Sequence, residues 1–218
     1  LVVYDPTIEP EDIEPTLADD EQALYESAVL PRLKAQFQSE GCAVDPMLAG
    51  EASGSFTRKG SVQNLAFYQV CQTGNGLGIV ALVVFEKGKL VGIWGDNSGW
   101  TMNVNKIADL NSNGLDEFAL SYGGGMHQGQ GGIGVDIMEF GSRGPVSIGW
   151  FQGERLTDTE TDYAWRVTVR KGKVPAFFRQ KYVANRDGKL LKRGTSTAFK
   201  LTKVASSFKK HRRLVVVG

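Results

Sequence analysis

The sequence predicts a mainly β protein of antiparallel, propeller-like repeat units in an open ring, with one N-terminal helix. A β-sandwich is the second architecture that fits. Three observations carry this expectation. Gly supplies 27 of 218 residues, amid many Val, Phe, Tyr and Trp, a composition suited to pleated strands joined by tight turns. The hydrophobic period changes from helical to strand-like near residue 50. A strand–turn–strand pattern in residues 65–94 also returns in residues 118–150, at a spacing of about 54–56 residues.

Taken in order, residues 1–20 are acidic and hold three prolines, so they read as an extended arm. Asp19 or Asp20 is placed to cap a helix running from Glu21 towards Ser39, with acids at its favoured start. Leu24, Ala28, Leu33 and Phe37 fall close to one face; Pro31 should kink or split the helix, and Gly41 should end it. Residues 1–50 therefore form the arm and helix, and residues 51–218 the β-domain. Its first unit, about 52–105, holds strands at 65–68, 78–85 and 90–94 with a Lys87-Gly88 turn. The second, about 106–160, holds strands at 118–122, 134–140 and 146–150, a Gly-rich gap between the first two and an Arg143-Gly144 turn. A basic hairpin region follows at 163–213, with a turn at Asn185–Gly188. There Arg166, Thr168 and Arg170 alternate with Val167 and Val169, which puts the two sets on opposite faces.

The net charge of +1 hides a strong asymmetry. Residues 1–50 carry a local −9, and residues 163–218 a local +15. Charges so divided call for contact between the two ends, or for an anionic partner on the basic half. We therefore expect the arm to lie along the basic strands. Arg166, Arg170, Lys171, Arg179 and Lys181, interleaved with Trp165, Phe177, Phe178 and Tyr182, are the candidate ligand-binding residues. An anionic glycan or surface, or a protein, suits them; nucleic acid is not expected. The run Lys209–Arg213 reads as an exposed tail. Cys42 and Cys71 are placed to pair in an oxidising compartment, which would add about 3–4 kcal/mol. No apolar run approaches the roughly 20 residues that span a bilayer. The chain opens on Leu, as it would after removal of a leader, and no leader segment is visible in it.

The chemistry concentrates in residues 108–125, ADLNSNGLDEFALSYGGG. Asp109, Asn111, Asn113 and Glu117 sit at alternate positions, Leu115 offers a carbonyl between the last two, and Gly114 supplies a turn. A hard cation such as Ca²⁺ takes six to eight oxygens, and a loop with ligands at positions 1, 3, 5, 7 and 9 can wrap one. An EF-hand is excluded, since its twelfth position is a Glu and here it is Leu120. Asp116 should point elsewhere. The alternative is that Asn113-Gly114 is a plain hairpin turn.

These residues resemble the calcium loop of FG-GAP/VCBS-type repeats, D-x-N-x-D-G-x-x-D before an apolar strand. Asp109, Asn111, Gly114 and the strand from Phe118 match, and Asn113 and Glu117 depart from it. The resemblance implies propeller-type blades, an extracytoplasmic (periplasmic or secreted) location and work as an interaction module. With few carboxylates, the Ca²⁺ would be weak and structural, with a dissociation constant on the order of 10⁻⁴ to 10⁻³ M. In the first unit the corresponding loop, residues 55–60, has no carboxylate and would be a metal-free copy.

No nucleophile elbow, P-loop, dinucleotide fingerprint or H-E-x-x-H occurs. The sequence therefore favours binding over catalysis. The competing function is a secreted or periplasmic hydrolase whose cleft lies near the Gly-rich stretch 123–134, with His127 as ligand or base.

Overall fold

The computed structural model describes residues 1–8, 14–38, 43–74, 77–127, 130–157 and 160–203; within these, the side chains of 97–102, 124–127, 130 and 160 are left out of the description. Ten strands follow one another as a single antiparallel meander: β2 (Met47–Gly54), β3 (Gln63–Gly74), β4 (Leu77–Glu86), β5 (Lys89–Ile107), β6 (Glu117–His127), β7 (Gln130–Gly141), β8 (Gly144–Thr157), β9 (Glu160–Arg170), β10 (Ala176–Ala184) and β11 (Leu190–Phe199). The second half of the meander curls into an open half-barrel, not a closed ring. The β4–β5 hairpin turns where the sequence places it. Lys87 and Gly88 have φ of 49° and 66°, the pair of positive values that matches a turn to the twist of its strands.

At 19 residues, β5 joins the two halves. Its first part pairs with β4, from Lys89↔Glu86 to Gly99↔Leu77. Its second pairs with β6, from Trp100↔Gly123 to Ile107↔Glu117. The units therefore merge edge to edge through one strand. The Gly-rich stretch expected as a gap is instead the paired ends of β6 and β7, with Gly123↔Ile133 and Gly124↔Gly132. Glycine is needed here for space. A Cβ on Gly134 would lie 2.6 Å from Trp150 Nε1, and one on Gly132 only 2.3 Å from the Glu154 carbonyl.

The run from 78 to 85 is continuously apolar because β4 is buried on both faces. Ile79, Ala81, Val83 and Phe85 face the helix, together with Ala66, Tyr68 and Val70 of β3 and Ile93 of β5. Val80, Leu82 and Val84 face the other way, against Phe67, Phe118, Leu120 and Met138. A third cluster fills the half-barrel with Leu110, Val135, Ile137, Phe151, Val167, Val169 and Phe177. Val167 and Val169 point inward, as the alternation requires.

The helix starts earlier than expected. The first segment, α1 (Asp19–Leu24), has Ala18 at its N-cap, without a side-chain cap. Asp19 and Asp20 instead lie in its first turn, where their charge suits the helix dipole. A π-turn, Tyr25–Val29, leads into α2 (Leu30–Phe37), with Pro31 in the first turn of α2. The Leu30 amide reaches back five residues to the Tyr25 carbonyl. Thus the proline splits the helix by a wide turn, not a sharp kink. The wide turn also has a packing use. Tyr25, Val29, Leu33 and Phe37 are all buried at four-residue spacing, which drifts about 40° per step on a regular helix; one π-turn offsets that drift. Gly41 lies outside the described residues.

Only the first residues of the expected arm lie along the basic strands, as β1 (Val2–Tyr4), antiparallel to β9; Leu17 instead packs on the helix-side core, and Thr16 and Ala18 line the groove beside the helix. β8 accompanies β9 only as far as Glu154↔Ala164, so β1 takes over the vacated edge at Val167 and Thr168. The Leu1 nitrogen donates to the Val169 carbonyl at 3.1 Å, and the Val169 amide to the Leu1 carbonyl at 2.9 Å. Asp5 forms an ion pair with Arg166 at 2.8 Å. Docking of residues 1–5 thus rests on ladder bonds and apolar packing, with one charge pair. Cys71, in β3, is engaged in a disulfide; Cys42 and the basic run 209–213 lie outside the described residues. Among the described residues, no helix is long and apolar enough to cross a membrane.

Candidate metal loop and cationic strands

The loop between β5 and β6 is held by its own polar side chains. Asp109 accepts the Asn113 amide through Oδ1 at 3.0 Å and the Gly114 amide through Oδ2 at 2.9 Å. Asn111 Oδ1 also accepts the Asn113 amide at 3.0 Å, and Asn113 Oδ1 accepts the Leu115 amide at 2.8 Å. The chain turns at Ser112 and Gly114, with φ of 60° and 85°. Gly114 is required twice over, since a Cβ there would also meet the Lys59 side chain at 3.0 Å. The side-chain oxygens of Asp109, Asn111 and Asn113 therefore all point into one turn, each with acceptor capacity left.

Asp116 lies just ahead of β6, which starts at Glu117, and its side chain is taken up by other amides. Its Oδ1 accepts the Asp109 amide at 3.1 Å, and its Oδ2 the Ser55 amide at 2.9 Å. The Asp116 amide returns to the Ser55 carbonyl at 2.9 Å. The two loops at equivalent points of the repeat are thus bonded to each other.

Glu117 completes the loop from below. It is 1 % exposed. Its Oε2 accepts the Leu110 amide at 2.6 Å, whereas its Oε1 has no hydrogen-bond partner. Burial pushes its carboxyl up to about 7, against the lowering effect of the Leu110 and Glu117 amides, while Asp109 and Glu139 add repulsion. Glu139, on β7, was not among the residues singled out from the sequence. Its Oε2 accepts the Asn111 side-chain amide at 2.9 Å and that of Asn113 at 3.4 Å. A signal for it exists, a carboxylate inside the apolar strand pattern GVDIMEF. Among the described residues, no three His, Cys, Asp or Glu draw together as a metal cage of their own. Any cation here would depend on the Asn and backbone oxygens as well.

The five basic candidates divide between two faces of β9 and β10. Arg166 and Arg170 face outward. The first is paired with Asp5, and the second lies 5.8 Å from the Phe178 ring centre. Lys171 is exposed in the turn beyond. Arg179 and Lys181 occupy the other face. Arg179 sits 4.4 Å from the Trp165 ring centre and 5.3 Å from that of Phe199; Lys181 Nζ is 4.7 Å from that of Tyr163. They stand beside a cavity of about 220 Å³. A larger open groove of about 690 Å³ lies at the start of the helix, lined by Asp20, Glu21, Glu51 and Lys87. Among the described residues, none within 123–134 lines either cavity. His127 ends β6, paired with Gln130, and its side chain lies outside the described residues. Compared with protein families, curated sequences and solved structures, the chain matches none.

Proposed function

We propose that this chain is a calcium-binding β-repeat module that works extracytoplasmically by interaction, as its resemblance to FG-GAP/VCBS repeats implies. One observation carries the reading. Glu117 buries a carboxylate whose Oε1 has no hydrogen-bond partner, beneath a turn already lined by the oxygens of Asp109, Asn111 and Asn113. An unpaired buried charge is costly, and a bound cation would remove that cost. Asp109, Asn111, Asn113 and Glu117 would hold the ion with the Leu115 carbonyl, and Glu139 is placed to join them. The cation would neutralise the carboxylates and brace the loop. The disulfide at Cys71 supports an oxidising compartment.

The test is a set of thermal melts with Ca²⁺ and with chelator. Ca²⁺ at about 10- to 100-fold its dissociation constant adds about 1.4–2.7 kcal/mol, or roughly 3–11 °C for a chain of this length. Asp109→Ala should abolish the shift. Glu117→Gln should abolish it too, and it should also raise the Tm of the metal-free protein, because a neutral amide is cheaper to bury than an unpaired charge. Identical melting curves with chelator and at about 10 mM Ca²⁺ would reduce the loop to a self-bonded turn.

A further inference from the structure

The inner face of the half-barrel has a floor and a mouth of opposite character. Val167, Val169 and Phe177 are buried at the floor. At the mouth, β9 and β10 pair Trp165 with Lys181 and Val167 with Arg179, and directly opposed residues project to the same side. The cavity of about 220 Å³ found there is lined by Trp150, Phe151, Trp165, Phe199, Arg179 and Lys200, among others. Among the described residues, none that lines it is acidic.

Arg179 is unusually prepared. Trp165 and Phe199 flank it at 4.4 and 5.3 Å, and among the described residues it makes no ion pair. A guanidinium donates only in its plane, through a fork that matches a carboxylate with two parallel bonds. The neighbouring rings offer it no hydrogen-bond acceptor of ordinary strength, so its N–H edge remains able to bind. Lys181 and Lys200 add positive charge around it. The wall is also fixed in advance. The Trp150 amide donates to the Thr202 carbonyl and the Thr202 amide to the Trp150 carbonyl, both at 2.8 Å, so the segment after β11 is bridged across β8. A site formed in advance loses less entropy on binding.

We propose that this mouth binds a small organic carboxylate, Arg179 taking the carboxylate edge-on and the aromatic wall taking a ring-sized apolar body. The cavity is smaller than the roughly 300–1,000 Å³ of sites for drug-sized molecules, which limits that body to about one ring. This site is independent of the calcium reading, since no residue of the 109–117 loop lines it.

Benzoate, benzamide and acetate separate the parts of the claim, read by calorimetry and by the fluorescence of Trp150 and Trp165. Benzoate should bind, and the other two at least about tenfold more weakly: benzamide because it lacks the charge-assisted hydrogen-bond pair, acetate because it lacks the apolar ring. Arg179→Gln should weaken benzoate about tenfold or more, and Arg179→Lys by a similar factor, because it keeps the charge and loses the fork. Lys34→Gln, an equal loss of charge at an exposed position on α2, should leave binding unchanged. Lys200→Glu, at an exposed position, provides an independent variant and should weaken benzoate at least about threefold at low salt. The proposal is overturned if benzamide or acetate binds as well as benzoate, or if Arg179→Gln or Lys200→Glu binds benzoate normally. It is equally overturned if benzoate gives no signal up to about 10 mM, beyond the weak end of specific affinities.

Discussion

Substituting Gly95 by Ala should damage the packing of the helix on the sheet, and the contact responsible can be isolated. Gly95 lies on β5 opposite Ala81, and together they leave a hollow into which Phe37 projects. A Cβ built on Gly95 would stand 2.6 Å from Phe37 Cζ, where ordinary contacts begin at 3.4 Å, so the ring would have to retreat by about 0.8 Å. It has little room to do so. Phe37 is 1 % exposed, and Leu33, Ala81 and Ile93 of its cluster are fully buried. The backbone of Gly95 is not in the left-handed region, so the cost is steric alone. Overpacking of this kind costs about 1–3 kcal/mol, which lowers the Tm by roughly 2–12 °C in a chain of this length.

Phe37→Leu removes the ring tip at a cost of about 1–2 kcal/mol. In that background Gly95→Ala should cost almost nothing, because the added methyl occupies space the ring has left. Urea unfolding of the two single variants and the double variant gives the coupling energy, expected at about 1–3 kcal/mol. Additive costs would refute the reasoning, since they would mean that the methyl and the ring never meet.

Two further outcomes follow from other sites. Asp136 is buried, and burial raises its carboxyl to about 6 against the lowering effect of Ser147 and Tyr122, with Asp96 also near Tyr122. A carboxyl raised on folding makes the folded state bind the extra proton, so stability should fall as pH rises from about 4 to 6 and stay reduced above it. Asp136→Asn should flatten that fall and stabilise the protein at pH 7 by an amount on the order of 2–3 kcal/mol; an unchanged pH profile of urea stability would remove Asp136 as its source. Deleting residues 1–5 should expose the edge of β9, and hydrogen exchange at the Val169 amide, now bonded to the Leu1 carbonyl, should accelerate by at least about tenfold; unchanged protection would mean β1 does not hold that edge.

Much of this arrangement is legible in the sequence where a residue has one physical use. Lys87-Gly88 suits a twisted two-residue turn, and it forms one. Val167 and Val169 alternate with Arg166 and Arg170, and the valines point inward. Asp116, just ahead of β6, spends its two oxygens on the Asp109 and Ser55 amides and not in the turn. What is not legible involves residues with two uses. Glycine in 123–134 suggests a gap, yet Gly132 and Gly134 stay in strands because another chain segment or an indole occupies the place of a side chain. The strand read from the sequence ends at Trp94, but β5 runs on to Ile107 and joins both halves. Glu139 lies 22 residues after Glu117 in sequence and meets the loop only through the ladder of β6 and β7. Such pairings are set by register, which a linear pattern does not carry.

Leu110 explains why ordering the 109–117 loop should register in the whole molecule. Its amide donates to Glu117, and its carbonyl accepts the Gly172 amide from the turn between β9 and β10. Its side chain is fully buried beside Val167, Val169 and Phe177. The loop therefore cannot loosen alone. Releasing Leu110 would strip a partner from the β9–β10 turn and open the floor of the half-barrel in the same event. A loop tied at amide, carbonyl and side chain unfolds with the core it joins, so a change in its stability appears as a shift of the cooperative transition. The mouth around Arg179 lies further back along β9, where Arg179 is paired with Val167 and Lys181 with Trp165. About seven residues separate Trp165 from Gly172, or roughly 23 Å of extended chain. The floor residues Val167 and Val169 lie between them, in one cluster with Leu110 and with Trp165 packed against it. The acidic loop and the cationic mouth are thus kept apart in charge, yet they share one packed support.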